Sequence, residues 1–65
     1  MIKTIIRLRD DMVILFDAEG KQIPAYQGRY EDVREIIMKD APADTVFNQW
    51  YGYSVKPRIV SRENW

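Results

Sequence analysis

The segment that decides the fold of this chain is Tyr30-Glu31-Asp32-Val33-Arg34-Glu35-Ile36-Ile37-Met38-Lys39. On a wheel of 3.6 residues per turn its apolar side chains lie together, namely Tyr30, Val33, Ile36 and Ile37. Its charged side chains lie opposite, namely Glu31, Asp32, Glu35 and Lys39. Acidic residues in the first turn and a lysine in the last suit the helix dipole, and Pro42 prevents continuation. The segment therefore predicts one amphipathic helix, with Gly28 or Arg29 at its N-cap.

Two paired strands are predicted ahead of this helix. Ile2 to Arg9 is rich in β-branched residues, with Ile2, Thr4, Ile6 and Leu8 on one face and mostly basic residues on the other, whereas Met12 to Phe16 is a continuous apolar run. The two aspartates between them predict a tight turn, because aspartate tolerates positive φ. Asp17 to Gly20 predicts a second turn, which leads into a short third strand from Lys21 to Ile23.

The sequence after the helix predicts two more strands, from Thr45 to Tyr51 and from Val55 to Val60. The second must lie at a sheet edge because it contains Pro57. Residues 61–64 predict a turn that brings Trp65 back toward the body of the domain. The expected order is β-β-(β)-α-β-β, in a single small α+β domain that spans residues 1–65. We expect a small antiparallel sheet with the amphipathic helix packed on one face.

The composition excludes several kinds of chemistry. The 65 residues contain no cysteine and no histidine, so disulfides are impossible and the usual zinc ligands are missing. The serine and threonine hydroxyl groups have no histidine to activate them as nucleophiles. No apolar stretch is long enough for a signal peptide or a membrane span. We therefore expect a cytoplasmic protein with no cofactor, no membrane association and no enzymatic activity.

Three residue pairs could still support catalysis, and each has a simpler structural explanation. Ser54 and Lys56 would share one face of a strand, a spacing that often arises by chance. The two adjacent aspartates at positions 10 and 11 are turn formers. Glu31 and Asp32 diverge by about 100° around a helix and suit charges of a first helical turn. We assign a catalytic role to none of these pairs.

Aromatic and basic residues concentrate in the last third of the chain: Phe47, Trp50, Tyr51, Tyr53, Lys56, Arg58, Arg62 and Trp65. Trp, Tyr and Arg dominate the energetics of protein interfaces, but a domain this small also needs large side chains in its core. Self-association is a common way to stabilise so small a domain. We predict a protein-interaction or regulatory module that forms a homodimer or docks on a larger protein. Its predicted contact residues are Trp50, Tyr51, Tyr53, Arg58 and Trp65.

The charges sum to zero but are unevenly distributed, with +3 in residues 1–9, −5 in residues 10–44 and +2 in residues 45–65. If the first and last strands lie close together, six cations form one basic face: Lys3, Arg7, Arg9, Lys56, Arg58 and Arg62. Such a face, combined with aromatic side chains, could bind single-stranded nucleic acid or RNA. This alternative competes with the interaction module, although nucleic-acid footprints usually occur on proteins that are basic overall.

Overall fold

The fold is described by a computed structural model that covers all residues from 1 to 65. One helix packs on one face of a five-stranded sheet, which confirms the predicted α+β class. The elements are β1 (Ile2–Arg7), β2 (Met12–Asp17), β3 (Gly28–Arg29), α1 (Tyr30–Asp40), β4 (Val46–Gln49) and β5 (Arg58–Val60). Two short 3₁₀ helices complete the chain, Pro24–Tyr26 and Arg62–Asn64.

The strands lie in the order β3-β2-β1-β4-β5, and the sheet is mixed, whereas we expected an antiparallel one. β1 and β4 are parallel, while the other three neighbouring pairs are antiparallel. The helix explains the parallel pair. Its first N–H, from Tyr30, bonds to the carbonyl of Asp11 beside the β1–β2 turn, and the chain leaving it reaches the start of β1, where Lys3 pairs with Asp44. β4 therefore starts at the same end as β1 and runs in the same direction.

The third strand lies at Gly28–Arg29, and not at Lys21 to Ile23 as predicted. In the predicted region Gln22 forms only an isolated bridge with Phe16. The following proline has no N–H to extend a ladder, and the chain turns there into the first 3₁₀ helix. The chain then returns to β2 at Gly28–Arg29, which pairs with Val13 and Met12.

The two predicted turns are present, and aspartate side chains shape both. Asp11 has a φ of 66°, the left-handed conformation that aspartate tolerates better than most residues. In the next turn the Asp17 carboxylate accepts the N–H groups of Glu19 and Lys21, and Gly20 takes a φ of 82°. These contacts lower the pKa of Asp17, chiefly through the N–H of Lys21.

The core lies between the sheet and the helix. It contains eight apolar residues: Ile2, Ile5, Val13, Leu15, Ile37, Ala41, Phe47 and Trp65. The buried apolar face of the helix differs from the predicted one, because Ile36 is 52% exposed while Met38 packs against the core. The helix has no side-chain N-cap, and Arg29 occupies that position.

A register irregularity at Lys3 changes which residues of β1 face the helix. Ile2 pairs with Asp17, and the next pair in register is Thr4 with Phe16, so the strand skips one residue. Ile2 therefore shares the helix side with Ile5. Our predicted grouping of Ile2 with Thr4, Ile6 and Leu8 is wrong for this reason, and the last three lie on the opposite side of the sheet.

Trp65 completes the core beneath the last 3₁₀ helix, where the sequence predicted a turn that brings it back. Its ring makes edge-to-face contacts with Tyr30 at 5.0 Å and with Phe47 at 5.2 Å between ring centroids. Its indole N–H donates to the carbonyl of Asn48 at 2.7 Å, and the Tyr30 hydroxyl donates to the carbonyl of Trp65.

Candidate interaction surface

The sheet face opposite the helix carries three rows of side chains, because residues paired across neighbouring strands point to the same side. We call it the open sheet face. Its central row is Ile14, Ile6, Asn48 and Ile59, and the row toward the start of β1 is Phe16, Thr4 and Val46. The third row is Met12, Leu8 and Trp50, where backbone hydrogen bonds from Leu8 to Met12 and from Trp50 to Arg7 continue the ladders beyond the strands.

Eight of these ten side chains are apolar, and none carries a charge. No other element covers them, and exposure rises toward the edges, to 39% for Met12 and 75% for Ile59. The side-chain amide of Asn48 donates one N–H to the carbonyl of Ile5 at 3.2 Å. Only Thr4 and Asn48 offer polar side-chain atoms on this face, so a partner would gain free energy of binding mainly by burying apolar area.

Trp50 lies at one end of the open sheet face and joins it to the β4–β5 loop. Its indole N–H donates to the carbonyl of Ser54 at 2.8 Å, which closes the loop on itself. The Arg9 guanidinium lies 5.2 Å from the ring centroid and donates to the carbonyl of Gly52. Leu8, Arg9, Asp10 and Trp50 line a shallow cleft of about 310 Å³.

Four of the five predicted contact residues lie at the surface. Tyr51 and Tyr53 are exposed in the β4–β5 loop, Arg58 is exposed on the edge strand, and Trp50 is partly exposed. Trp65 differs, because only 2% of its surface is accessible and its ring fills the core. We remove Trp65 from the contact set for that reason.

The six predicted nucleic-acid-binding cations do not form one face. β4 separates β1 from β5, and several of the cations have partners within the domain. Lys3 pairs with Asp44, and Arg7 lies on the helix side, paired with Asp11 and 3.5 Å from the Tyr30 ring centroid.

Arg62 donates to the carbonyls of Ala41 and Pro42 and lies over the Phe47 ring at 4.9 Å. It therefore holds the end of the chain against the segment after the helix. Arg9, Lys56 and Arg58 remain at the end of the sheet that carries the β4–β5 loop.

The residues that sequence reasoning missed are the aliphatic ones of the open sheet face, above all Ile6, Ile14 and Ile59. One signal was present, since the run Met12 to Phe16 is apolar at both parities. Such a run indicates a strand that needs cover on both faces, whereas the chain supplies one helix.

The end of the domain farthest from the β4–β5 loop carries most of the acidic groups of the sheet and its turns. Tyr26 donates to Asp40 at 2.9 Å, and this hydrogen bond raises the pKa of Tyr26. Lys3 lowers the pKa of Asp44 through a hydrogen bond of 3.0 Å. Beside Tyr26 and Asp40 lies a cleft of about 460 Å³, lined otherwise by Met1, Ile2, Ile23 and Pro42.

No three metal-ligating side chains come together in the domain. The helix is too short to cross a membrane. Comparisons with protein-family models, with curated protein sequences and with solved structures find no match to this chain.

Proposed function

We propose that this chain is a small non-catalytic interaction module that binds another protein chain through the open sheet face, in the cytoplasm. The observation that carries the proposal is the set of eight uncharged, apolar side chains on a sheet face that nothing covers. Sheets with one solvated face usually alternate apolar and polar side chains, so that the outer face is polar. An apolar outer face is typical of a surface that another protein covers.

The predicted contact residues extend this surface at one end. Trp50 belongs to the face by register, and Tyr51, Tyr53 and the exposed Val55 follow in the adjoining loop. Aromatic side chains at the edge of an apolar patch are typical of interface anchors. Arg58 lies next to Ile59 on the edge strand, but it pairs with Gln49 in the row of Arg7, so its side chain leaves the sheet on the helix side and lies outside this surface.

Site-specific photo-crosslinking in cells tests this proposal. A benzophenone amino acid replaces Ile59, which is exposed on the open sheet face, and in a matched control it replaces Ile36, which is exposed on the helix. We expect discrete covalent protein adducts from position 59 and none from position 36. Adding Met12→Glu in the face should abolish the adducts and leave the far-ultraviolet circular dichroism unchanged.

Equal adduct patterns from both positions, or none from position 59, would contradict an interaction role for this face. Adducts that survive Met12→Glu would place the contact elsewhere. Neither substituted isoleucine belongs to the core, so both modified proteins should fold.

The nucleic-acid alternative has less support, because four of its six cations have partners inside the domain. The centre of the face holds isoleucines instead of the aromatic rings on which bases stack. The test is binding of a mixed-sequence single-stranded oligonucleotide at low salt. Salt-dependent binding that Arg58→Glu removes, while Met12→Glu leaves it intact, would favour this alternative over the interaction module.

A further inference from the structure

We propose that the occupant of the open sheet face is a second copy of this chain, packed face to face with its strands antiparallel to those of the first copy. This inference rests on the proposed function and names the partner. A two-fold axis midway between the two sheets, parallel to them and perpendicular to the strands, places β2 opposite β2 and β1 opposite β1. Ile14 and Ile6 then face their own counterparts, while the two outer rows exchange places.

The first reason is the neutrality of both the face and the chain. A partner must offer a flat apolar surface of similar size without charges, and the chain itself carries one. With ten cations and ten carboxylates, two copies meet without net repulsion. The chain thus supplies its own complementary surface.

The second reason is the size of the side chains in the two outer rows. One outer row holds Trp50, Leu8 and Met12, whereas the other holds Val46, Thr4 and Phe16. The antiparallel arrangement sets Trp50 against Val46 and Leu8 against Thr4, so in these two pairs a large side chain meets a small one, while Met12 meets Phe16. An axis along the strands would set Leu8 against Leu8 and Thr4 against Thr4, which leaves a gap at one end and crowding at the other.

The third reason is the distribution of charge along the strands. Among the strands and their connecting turns, one end holds five cations against two carboxylates: Arg7, Arg9, Arg29, Lys56 and Arg58 against Asp10 and Asp11. The other end holds two cations against three carboxylates: Lys3 and Lys21 against Asp17, Glu19 and Asp44. Antiparallel copies keep the two basic ends apart and bring each to the weakly charged end of the other.

The area of the face determines how tightly two copies bind. Four strands about 4.8 Å apart and about five residues long give roughly 19 by 17 Å, or roughly 320 Å² in projection per copy. The area that both copies bury together is below the roughly 1,200 Å² of a standard interface, even when the extra area of protruding side chains is added. We therefore expect a dimer that forms reversibly and depends on concentration.

Sedimentation equilibrium across a wide concentration series tests for the dimer. We expect a reversible monomer–dimer equilibrium that Ile59→Glu shifts strongly toward monomer, while Ile36→Glu on the helix leaves it unchanged. Equal effects of the two substitutions would overturn the assignment to the open sheet face.

Orientation is tested with introduced cysteines, which are unique because the chain has none. Facing sheets lie about 10 Å apart, so a short bismaleimide can bridge opposed positions. Leu8→Cys mixed with Thr4→Cys should crosslink several-fold faster than either variant alone, since like positions are separated by about 16 Å in the antiparallel dimer. Met12→Cys mixed with Phe16→Cys repeats the test on β2, and Ile36→Cys serves as the uncoupled control.

Faster crosslinking within each single variant than in the mixture would overturn the antiparallel arrangement. A chain that stays monomeric at every concentration, yet forms adducts with a different protein from position 59, would overturn the second copy and keep the interaction module. A monomer without adducts would overturn both.

Discussion

Replacing Trp65 with alanine should nearly unfold this domain, because its ring is a central element of a small core. The substitution removes a residue that is 2% exposed, together with two edge-to-face contacts and the hydrogen bond to the Asn48 carbonyl. Truncating a buried tryptophan to alanine costs about 3 to 5 kcal/mol. The whole free energy of unfolding of a domain this size is about 3 to 5 kcal/mol, so the variant should lie near its unfolding midpoint at room temperature.

Trp65→Phe separates packing from hydrogen bonding. It keeps an aromatic ring between Tyr30 and Phe47 but leaves the Asn48 carbonyl without its donor, a loss of about 1 to 2 kcal/mol. Tyr53→Ala is the matched control, since Tyr53 is fully exposed and should cost less than about 0.5 kcal/mol.

Urea unfolding followed by far-ultraviolet circular dichroism, at low protein concentration, measures all three variants without a contribution from association. The expected order of stability is Tyr53→Ala, then Trp65→Phe, then Trp65→Ala. If Trp65→Ala unfolds at the same urea concentration as Tyr53→Ala, the assignment of Trp65 to the core is refuted and its original prediction as a contact residue returns.

Three further predictions follow from individual contacts. Arg62→Ala should lower the free energy of unfolding by about 1 to 2 kcal/mol in urea titrations, because it removes two hydrogen bonds to carbonyls and a cation–π contact with Phe47; an unchanged midpoint would contradict this role. Asp11→Val should cost about 1 to 2 kcal/mol and Asp11→Gly much less, because residue 11 has a positive φ; equal costs would point to the Arg7 ion pair as the cause. Because the pKa values of Asp17 and Asp44 are lowered in the folded state, their stabilisation is present above the ordinary carboxyl range and is lost as the pH falls below about 4. The thermal midpoint should therefore fall on acidification, and fall less in Asp17→Asn/Asp44→Asn; identical acid profiles would disprove the assignment.

The helix and the first two strands could be predicted from the sequence because their signals are local. Apolar spacing in Tyr30–Asp40 and β-branched residues in Ile2–Arg7 report directly on backbone conformation. The turn at Asp11 could likewise be predicted from residue type, because aspartate tolerates positive φ. The third strand was misplaced because Gly28–Arg29 has no strand signal of its own and forms only by returning to β2.

Which face of each strand meets the helix could not be predicted from alternation. A single register irregularity at Lys3 reverses the face of every following residue relative to Ile2. In β2 both parities are apolar, so Val13 and Leu15 in the core look the same in sequence as Ile14 and Phe16 outside it. The role of Trp65 was misjudged for a related reason, since a tryptophan suits a small core and an interface equally well.

The number of layers in the domain explains why its uncharged face, and not its charged loops, is the better candidate for function. One helix of 11 residues is about 16 Å long and can cover only one face of a five-stranded sheet. A strictly monomeric domain could make the other face polar at no cost to its core, because Ile6, Ile14 and Ile59 contribute nothing to the packing against the helix. Exposed apolar side chains bring a risk of aggregation without stabilising the monomer. The eight apolar residues of the open sheet face therefore favour the proposed interaction role, because only Met12 and Ile59 among them are exposed in the monomer and covering the face would bury both.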